Sequence, residues 1–291
     1  MSLIIDLHSH TTHSDGALSP QELVMRAQQM QIDVLAITDH DTVSAISVAK
    51  EFAQKNDIKL EIVTGVELST SWHGFDIHIL GYNMDIDDPV LLKRLAAQLQ
   101  ERDERAKRIC DKLAKCGIEN VYEDALNHAN GAQISRNHIA NVLVDRQVCA
   151  THQLAFSKYL GKGKRAYATP KWITIQTAVE WITQAGGQAV IAHPSHYDMS
   201  TKWLRRLTTE FKAAGGVAME VTHPNMQKQT KSLLLEVALS SELLGSAGSD
   251  FHAPGRWTEL GRRLDISEQV KPIWHNWPVV LNHHKIHQRI A

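Results

Sequence analysis

Val34-Leu35-Ala36-Ile37-Thr38-Asp39-His40-Asp41 is a continuous apolar run of strand length that stops on an Asp-His-Asp cluster. The same pattern recurs on either side of it. Upstream, Leu3-Ile4-Ile5 leads into Asp6-Leu7-His8-Ser9-His10 and then Ser14-Asp15-Gly16. Downstream, a strand over 60–66 is expected to end at Glu67, and another around 75–82 contains His78. Ala189-Val190-Ile191-Ala192 ends at His193, 217–221 reads as a strand, and 243–247 leads to Ser249-Asp250-Phe251-His252. Between these runs the sequence reads as helix. Ser19-Pro20-Gln21-Glu22 combines an N-cap serine, a proline at the first helical position and a capping-box glutamate, and helices are expected over 42–54, 174–185, 203–214 and 225–240. Strands alternating with helices imply parallel strands under right-handed crossovers. In such a barrel, catalytic residues gather at the C-terminal ends of the strands. The expected fold is therefore α/β, a distorted (β/α)7-type barrel.

The rhythm breaks near Asp87. From Pro89 to about Cys116 the chain reads as a long charged helix, followed by helical segments near 122–129, 135–148 and 152–160. Residues 95–168 are expected to form a helical insertion, a substrate lid, on a barrel domain made of 1–94 and 169–291. The charged run Glu101–Arg108 reads as an exposed helix face. The stretch from Val270, with His283, His284 and His287, reads as a surface tail or a barrel-closing segment rather than a site.

Of 291 residues, 43% are hydrophobic and 22% charged, as in ordinary globular domains. A formal net charge of −1 argues against long duplex DNA as a partner, because phosphate neutralisation needs a basic surface. Cys110, Cys116 and Cys149 lack CxxC spacing and read as reduced thiols. No apolar stretch is long enough to span a bilayer and no leader pattern opens the chain, so a cytoplasmic location is expected.

His8 and His10, two apart on a strand, point to one face. Taken singly, each strand-end histidine or acid reads as an ordinary polar residue, and Asp41 reads as a helix cap. Collected, they are His8, His10, Asp15, His40, Glu67, His78, His193, Asp250 and His252. So many buried polar groups on one rim require neutralising cations. Every donor is N or O, which favours Mn, Fe or Zn, and the number exceeds what one tetrahedral ion needs. Two or three divalent ions are expected, with manganese first among them.

These blocks resemble the PHP (polymerase and histidinol phosphatase) family: Asp6–His10, Thr38–Asp41, Gly65-Val66-Glu67, Ala192-His193-Pro194 and Gly248–His252. Thr11–Gly16, Ser135-Arg136-Asn137-His138 and Thr169–Trp172 are similar to the TrpH branch, whose members are nucleoside 3′,5′-bisphosphate phosphatases and 5′-to-3′ exoribonucleases. The resemblance implies three ions. The first is held by His8, His10, Glu67 and Asp250, and Glu67 bridges to a second completed by His78 and His193. Asp15, His40 and His252 take the third. It also implies attack by a metal-bridging hydroxide, acidified toward a pKa of about 7, with Arg136 and His138 on the substrate side. No protein side chain is assigned as catalytic, and His13 is left out as a ligand.

Where Gly-Arg is expected after His193-Pro194, the chain has Ser195-His196. His196 and His223 are candidates for a general acid, although His223 reads more simply as a strand-end residue. The Gly161–Arg165 loop lacks P-loop spacing. It reads as a solvated turn, or as a second phosphate or RNA-backbone site near Tyr159, Tyr167 or Trp172. The implied substrates are nucleotides or short single-stranded RNA. A histidinol-phosphate type phosphatase, a non-catalytic metal-binding PHP module and an amidohydrolase are the alternatives.

Overall fold

Eight strands form in chain order: β1 (Ile5–Asp6), β2 (Val34–Ile37), β3 (Glu61–Trp72), β4 (Phe75–Tyr82), β5 (Ile173–Thr174), β6 (Gln188–Ile191), β7 (Ala218–Thr222) and β8 (Leu244–Ala247). They belong to a computed structural model in which residues 3–255 and 258–281 are described. The sheet order is β1-β2-β3-β4-β6-β7-β8, with β5 pairing β3 off this path. Leu7 N–H donates to Ala247 O (3.1 Å) and His10 N–H to Phe251 O (2.8 Å), so the β1 edge meets the end of β8 and the sheet curls into a barrel.

The sheet is mixed, which departs from the expected all-parallel pattern. β4 runs antiparallel to both β3 and β6. The cause is local: Trp72 pairs with Phe75, and His73 (φ 44°) and Gly74 (φ 80°) form a two-residue connection. A turn that tight, with both central φ positive, joins only antiparallel strands. As a result β3 runs on to Trp72, and Glu67 lies inside a strand rather than at its end.

Helices α1 (Pro20–Gln29), α2 (Ser44–Lys55), α7 (Ile175–Gln184), α8 (Thr201–Ala213) and α9 (Lys228–Ser240) cover the outside of the sheet. Between β4 and β5 lie α3 (Pro89–Ala114), α4 (Val121–Ala129), α5 (Arg136–Asp145) and α6 (His152–Ala155). The Ser19 capping box starts α1, and Asp88 starts α3 by accepting from Val90 and Leu91 N–H. α3 joins two cores: Leu91 and Leu95 pack on the barrel, while Ala106, Ile109 and Leu113 pack with α4 and α5.

A smaller core fills the barrel interior, where Leu7, Val34, Ala36, Tyr82, Val190 and Ala218 are buried. At the end where the parallel strands begin, Ile273 and Trp277 join this core, and Trp277 Nε1 donates to Gln188 Oε1 (2.8 Å). The stretch after Val270 thus closes the barrel, while His283, His284 and His287 lie outside the described residues. Cys110, Cys116 and Cys149 are free thiols. Among the described residues no helix is long and apolar enough to cross a membrane.

Candidate active site

At the opposite end of the barrel Glu67, 1% exposed, sits among five imidazoles. Its Oε2 faces His8 Nε2 (3.5 Å), His10 Nε2 (3.3 Å) and His40 Nδ1 (2.9 Å), and its Oε1 faces His78 Nδ1 (2.8 Å) and His193 Nε2 (2.9 Å). Asp250 Oδ1 lies 3.3 Å from His8 and 3.2 Å from His10. Asp15 Oδ1 lies 3.3 Å from His252 Nε2 and 3.8 Å from both His10 and His40. All nine residues read from the sequence as metal donors thus converge. His13 instead bonds Ser44 Oγ through Nδ1 (2.7 Å).

Local backbone chemistry makes the convergence. Asp39 accepts from Thr11 N–H, Thr11 Oγ and Ser14 Oγ, and so folds the loop that returns Asp15 toward His10. Gly16 is required in that loop, since a Cβ there would lie 2.4 Å from His10 O. Asp6, fully buried, accepts from Ser249 and Gly261 N–H and ties the β8 end to the β1 end. His193 (φ 26°) and Asp250 (φ 52°) both occupy the left-handed region, a strained conformation of the kind that clusters at functional sites.

Burial pushes the Glu67, Asp15 and Asp250 carboxyls upward, but the surrounding imidazoles outweigh it and hold all three well below the usual range. Burial also works against a charged His252, yet the Asp15 hydrogen bond and the Asp250 charge raise it to about 10.

His8 Nε2, His10 Nε2, Asp15 Oδ1, His40 Nδ1, Glu67 Oε2 and His193 Nδ1 are buried without a hydrogen-bond partner. Each unmade polar contact of this kind costs about 1–3 kcal/mol, and these are the atoms that bind borderline divalent metals. Three donor groups have their ligand atoms within 4.8 Å of one another: His10, Asp15, His40 and His252; His8, His10 and Glu67; His40, Glu67 and His78. The residues fit a multinuclear metal centre.

The sequence reading missed Glu220. It is buried on β7, accepts from His8 Nδ1 at 3.1 Å through Oε1, and accepts the His193 N–H through Oε2. The available signal was an acid inside the apolar run Val217–Val221. Close packing makes room for the pair: a Cβ on Gly248 would meet His8 Cβ at 2.2 Å and Glu220 Oε1 at 2.6 Å.

A cavity of about 420 Å³ opens over the cluster, and Arg102, Arg105 and Arg136 also line it. The run Glu101–Arg108 is therefore not simply an exposed face. Arg105 is 6% exposed, and Arg102 pairs with the buried Asp41 (2.5 Å), which ties α3 to the barrel. Asp41 is part of this brace, not a helix cap.

Asn137 Nδ2 donates to Asp15 Oδ2 (2.9 Å), bringing the start of α5 onto the metal-type cluster. His138 is buried, and its Nδ1 accepts the Ser135 N–H within a capping box; it does not line the cavity. Trp172 lies under the guanidiniums of Arg102 (5.2 Å) and Arg105 (5.5 Å), and Tyr159 is buried in the helical core. Residues 162–165 are exposed. His196 reaches the cavity, and its ring meets that of His223 at 4.7 Å.

Three comparisons bear on this geometry. The family model for the PHP domain matches residues 6–127. A 5′-3′ exoribonuclease Rnm from Salmonella typhimurium is 44% identical over 95% of this chain and 94% of its own. A 3′,5′-nucleoside bisphosphate phosphatase from Chromobacterium violaceum is 38% identical over 93% of this chain and 95% of its own. A solved structure from the same organism, described as an amidohydrolase with bound sulfate and no metal, superposes with TM-score 0.87 at 37% identity, covering 93% and 94% of the two chains.

Proposed function

The chain belongs to the PHP domain family, and from that premise we propose that it is a metal-dependent phosphoesterase acting on nucleoside 3′,5′-bisphosphates and, as a 5′-to-3′ exoribonuclease, on the 5′ ends of short RNA. The observation that carries the reading is the make-up of the cavity. Its lining combines members of the histidine and carboxylate cluster around Glu67 with three arginines contributed by α3 and α5. A nucleotide with two phosphates matches both groups, whereas a compact monoester uses only one.

In this reading His8, His10, Glu67 and Asp250 would hold a first ion, His78 and His193 together with Glu67 a second, and Asp15, His40 and His252 a third. Manganese is our choice, with iron and zinc served by the same donors. When bound, such ions supply Lewis acidity toward phosphoryl oxygens and lower the pKa of water.

The chain's own groups do the rest. Glu220 accepts the His8 Nδ1 proton and so orients Nε2 toward Glu67, where it would be free to ligate a metal ion. Arg105 and Arg136 neutralise charge on the second substrate phosphate, while Arg102, held on Asp41, braces the helix that carries Arg105. Residues 95–168 act as the lid that carries these arginines and excludes water. Burial pushes His196 down to about 4, so it stands neutral at the cavity wall as a hydrogen-bonding group rather than a phosphate counter-ion.

The test is phosphate release from adenosine 3′,5′-bisphosphate and from histidinol phosphate, and mononucleotide release from a 5′-phosphorylated oligoribonucleotide, assayed in parallel with Mn²⁺. The first two are expected to be turned over far faster than the third, and His8→Ala or Asp250→Ala to abolish both activities. Preference for histidinol phosphate, or no turnover of either nucleotide substrate, overturns the assignment.

A further inference from the structure

The β3–β4 hairpin carries an aromatic and basic surface that the cavity chemistry does not use. Trp72, His73 and Phe75 at its tip pack against Trp203 of α8, with ring centroids 5.5, 5.6 and 5.7 Å from the Trp203 ring. His73 and Gly74 are exposed, and Phe75 and Trp203 are half-buried. Cations flank the group on both sides. Lys162 hydrogen-bonds Gly74 O and lies 5.8 Å from the Phe75 ring, and Arg206 lies 5.1 Å from the Trp203 ring. Lys164 and Arg165 extend the basic side and are exposed. The nearby acids are committed: Glu210 to Trp72 Nε1 and Arg206, and Asp76 to Arg105 at 3.7 Å.

The hairpin separates this surface from the cavity by one strand thickness: Asp76 and His78 line the cavity, while Phe75 faces Trp203 on the opposite side of β4, so the two meet over the exposed tip at His73 and Gly74. An enzyme that works from the 5′ end must lead the remainder of its substrate out over the rim. Single-stranded nucleic acid is held by aromatic faces beside cations that track the backbone, the combination found at this tip.

Resting on the exoribonuclease reading, we propose that the hairpin tip, Trp203, Arg206 and the 162–165 loop form the track that binds the 3′ continuation of a single-stranded RNA whose 5′ end occupies the cavity. The track sets a preference for RNA length and leaves mononucleotide hydrolysis alone.

The experiment compares KM for a dinucleotide and for an oligoribonucleotide of about ten nucleotides, both 5′-phosphorylated, alongside kcat/KM on adenosine 3′,5′-bisphosphate. It uses the Mn²⁺-loaded enzyme and a Lys162→Ala, Lys164→Ala double variant. The wild type is expected to show a KM about tenfold lower for the longer RNA, an advantage that weakens with salt. The double variant is expected to lose most of that advantage with bisphosphate turnover unchanged. Arg206→Ala is a second variant, on the other side of the tip, expected to act in the same direction. Equal KM for both lengths in the wild type overturns the track, as does an equal loss on all substrates in both variants. If the enzyme turns over none of these substrates, the functional reading falls instead. Fluorescence anisotropy with labelled RNA then still decides the track, which requires tighter binding of the longer strand and loss of that difference in the variants.

Discussion

His8 turns its Nδ1 to Glu220 Oε1 at 3.1 Å, and both side chains are buried among the groups that surround Glu67. The bond fixes which imidazole nitrogen faces the cluster, and the second Glu220 oxygen fixes the His193 backbone. Outer partners of this kind change metal affinity by about 10–100-fold when removed. Glu220→Ala is therefore expected to weaken Mn²⁺ binding by about that factor in a calorimetric titration, with Glu220→Gln falling between it and the wild type. Unchanged affinity in Glu220→Ala would show that His8 is oriented by other contacts.

Asn137 reaches Asp15 from α5 with a 2.9 Å hydrogen bond. Asn137→Asp sets a carboxylate against a carboxylate there. It is expected to keep the fold, since Asn137 is only part-buried, and to draw positive charge more strongly while losing the orienting bond. The expected outcome is a fall of about tenfold or more in kcat for bisphosphate turnover, with little change in melting temperature. A wild-type kcat would separate the lid from the chemistry.

Arg136 lines the cavity. A hydrogen bond to a charged group is worth about 1.5–3 kcal/mol, so Arg136→Ala is expected to cut kcat/KM on adenosine 3′,5′-bisphosphate by about 10–100-fold. The same variant should lose less on a substrate that lacks the second phosphate. Equal losses on both would place Arg136 at the scissile phosphate instead.

The pH dependence of the metal-stripped protein follows from two opposite shifts. Glu67, Asp15 and Asp250 are lowered carboxyls, so they contribute stability above their unfolded pKa of about 4 and lose it as pH falls. His252, raised to about 10, contributes in full below its unfolded value and loses that contribution as pH climbs toward its folded one. His196, lowered to about 4, works the other way and adds stability as pH rises toward the unfolded imidazole value, so scanning calorimetry in EDTA should show the highest melting temperature near pH 6–7, about that unfolded value, and a fall of several degrees by about pH 9. A melting temperature that rises steadily over that alkaline range would contradict this.

Much of the barrel was legible because its apolar runs have strand length and stop on polar residues. Most of the nine clustered residues were legible for the same reason, since strand ends bring distant positions to one rim. Glu67 and His78 came together by another route, the hairpin at His73-Gly74, whose antiparallel pairing the βα rhythm concealed. Arg102 and Arg105 were hidden in a charged run. Their spacing continues the stripe Leu91, Leu95, Gln98 that α3 turns inward, so helical phase carried the signal that composition masked. Glu220 and Asn137 depend on contacts between elements far apart in the chain. A single acid in an apolar strand, or one asparagine in the first turn of a helix, specifies no partner until the fold supplies one.

The centre built around Glu67 is tested most directly by elemental analysis of purified protein after Mn²⁺ loading and removal of free metal, with Glu67→Gln measured beside the wild type. Three donor groups share His10, His40 and Glu67, so two or three tightly held divalent ions per chain are expected in the wild type. The variant should lose at least one of them together with phosphate release. Fewer than two ions in the wild type, or full occupancy in Glu67→Gln, would contradict a multinuclear centre organised by that carboxylate.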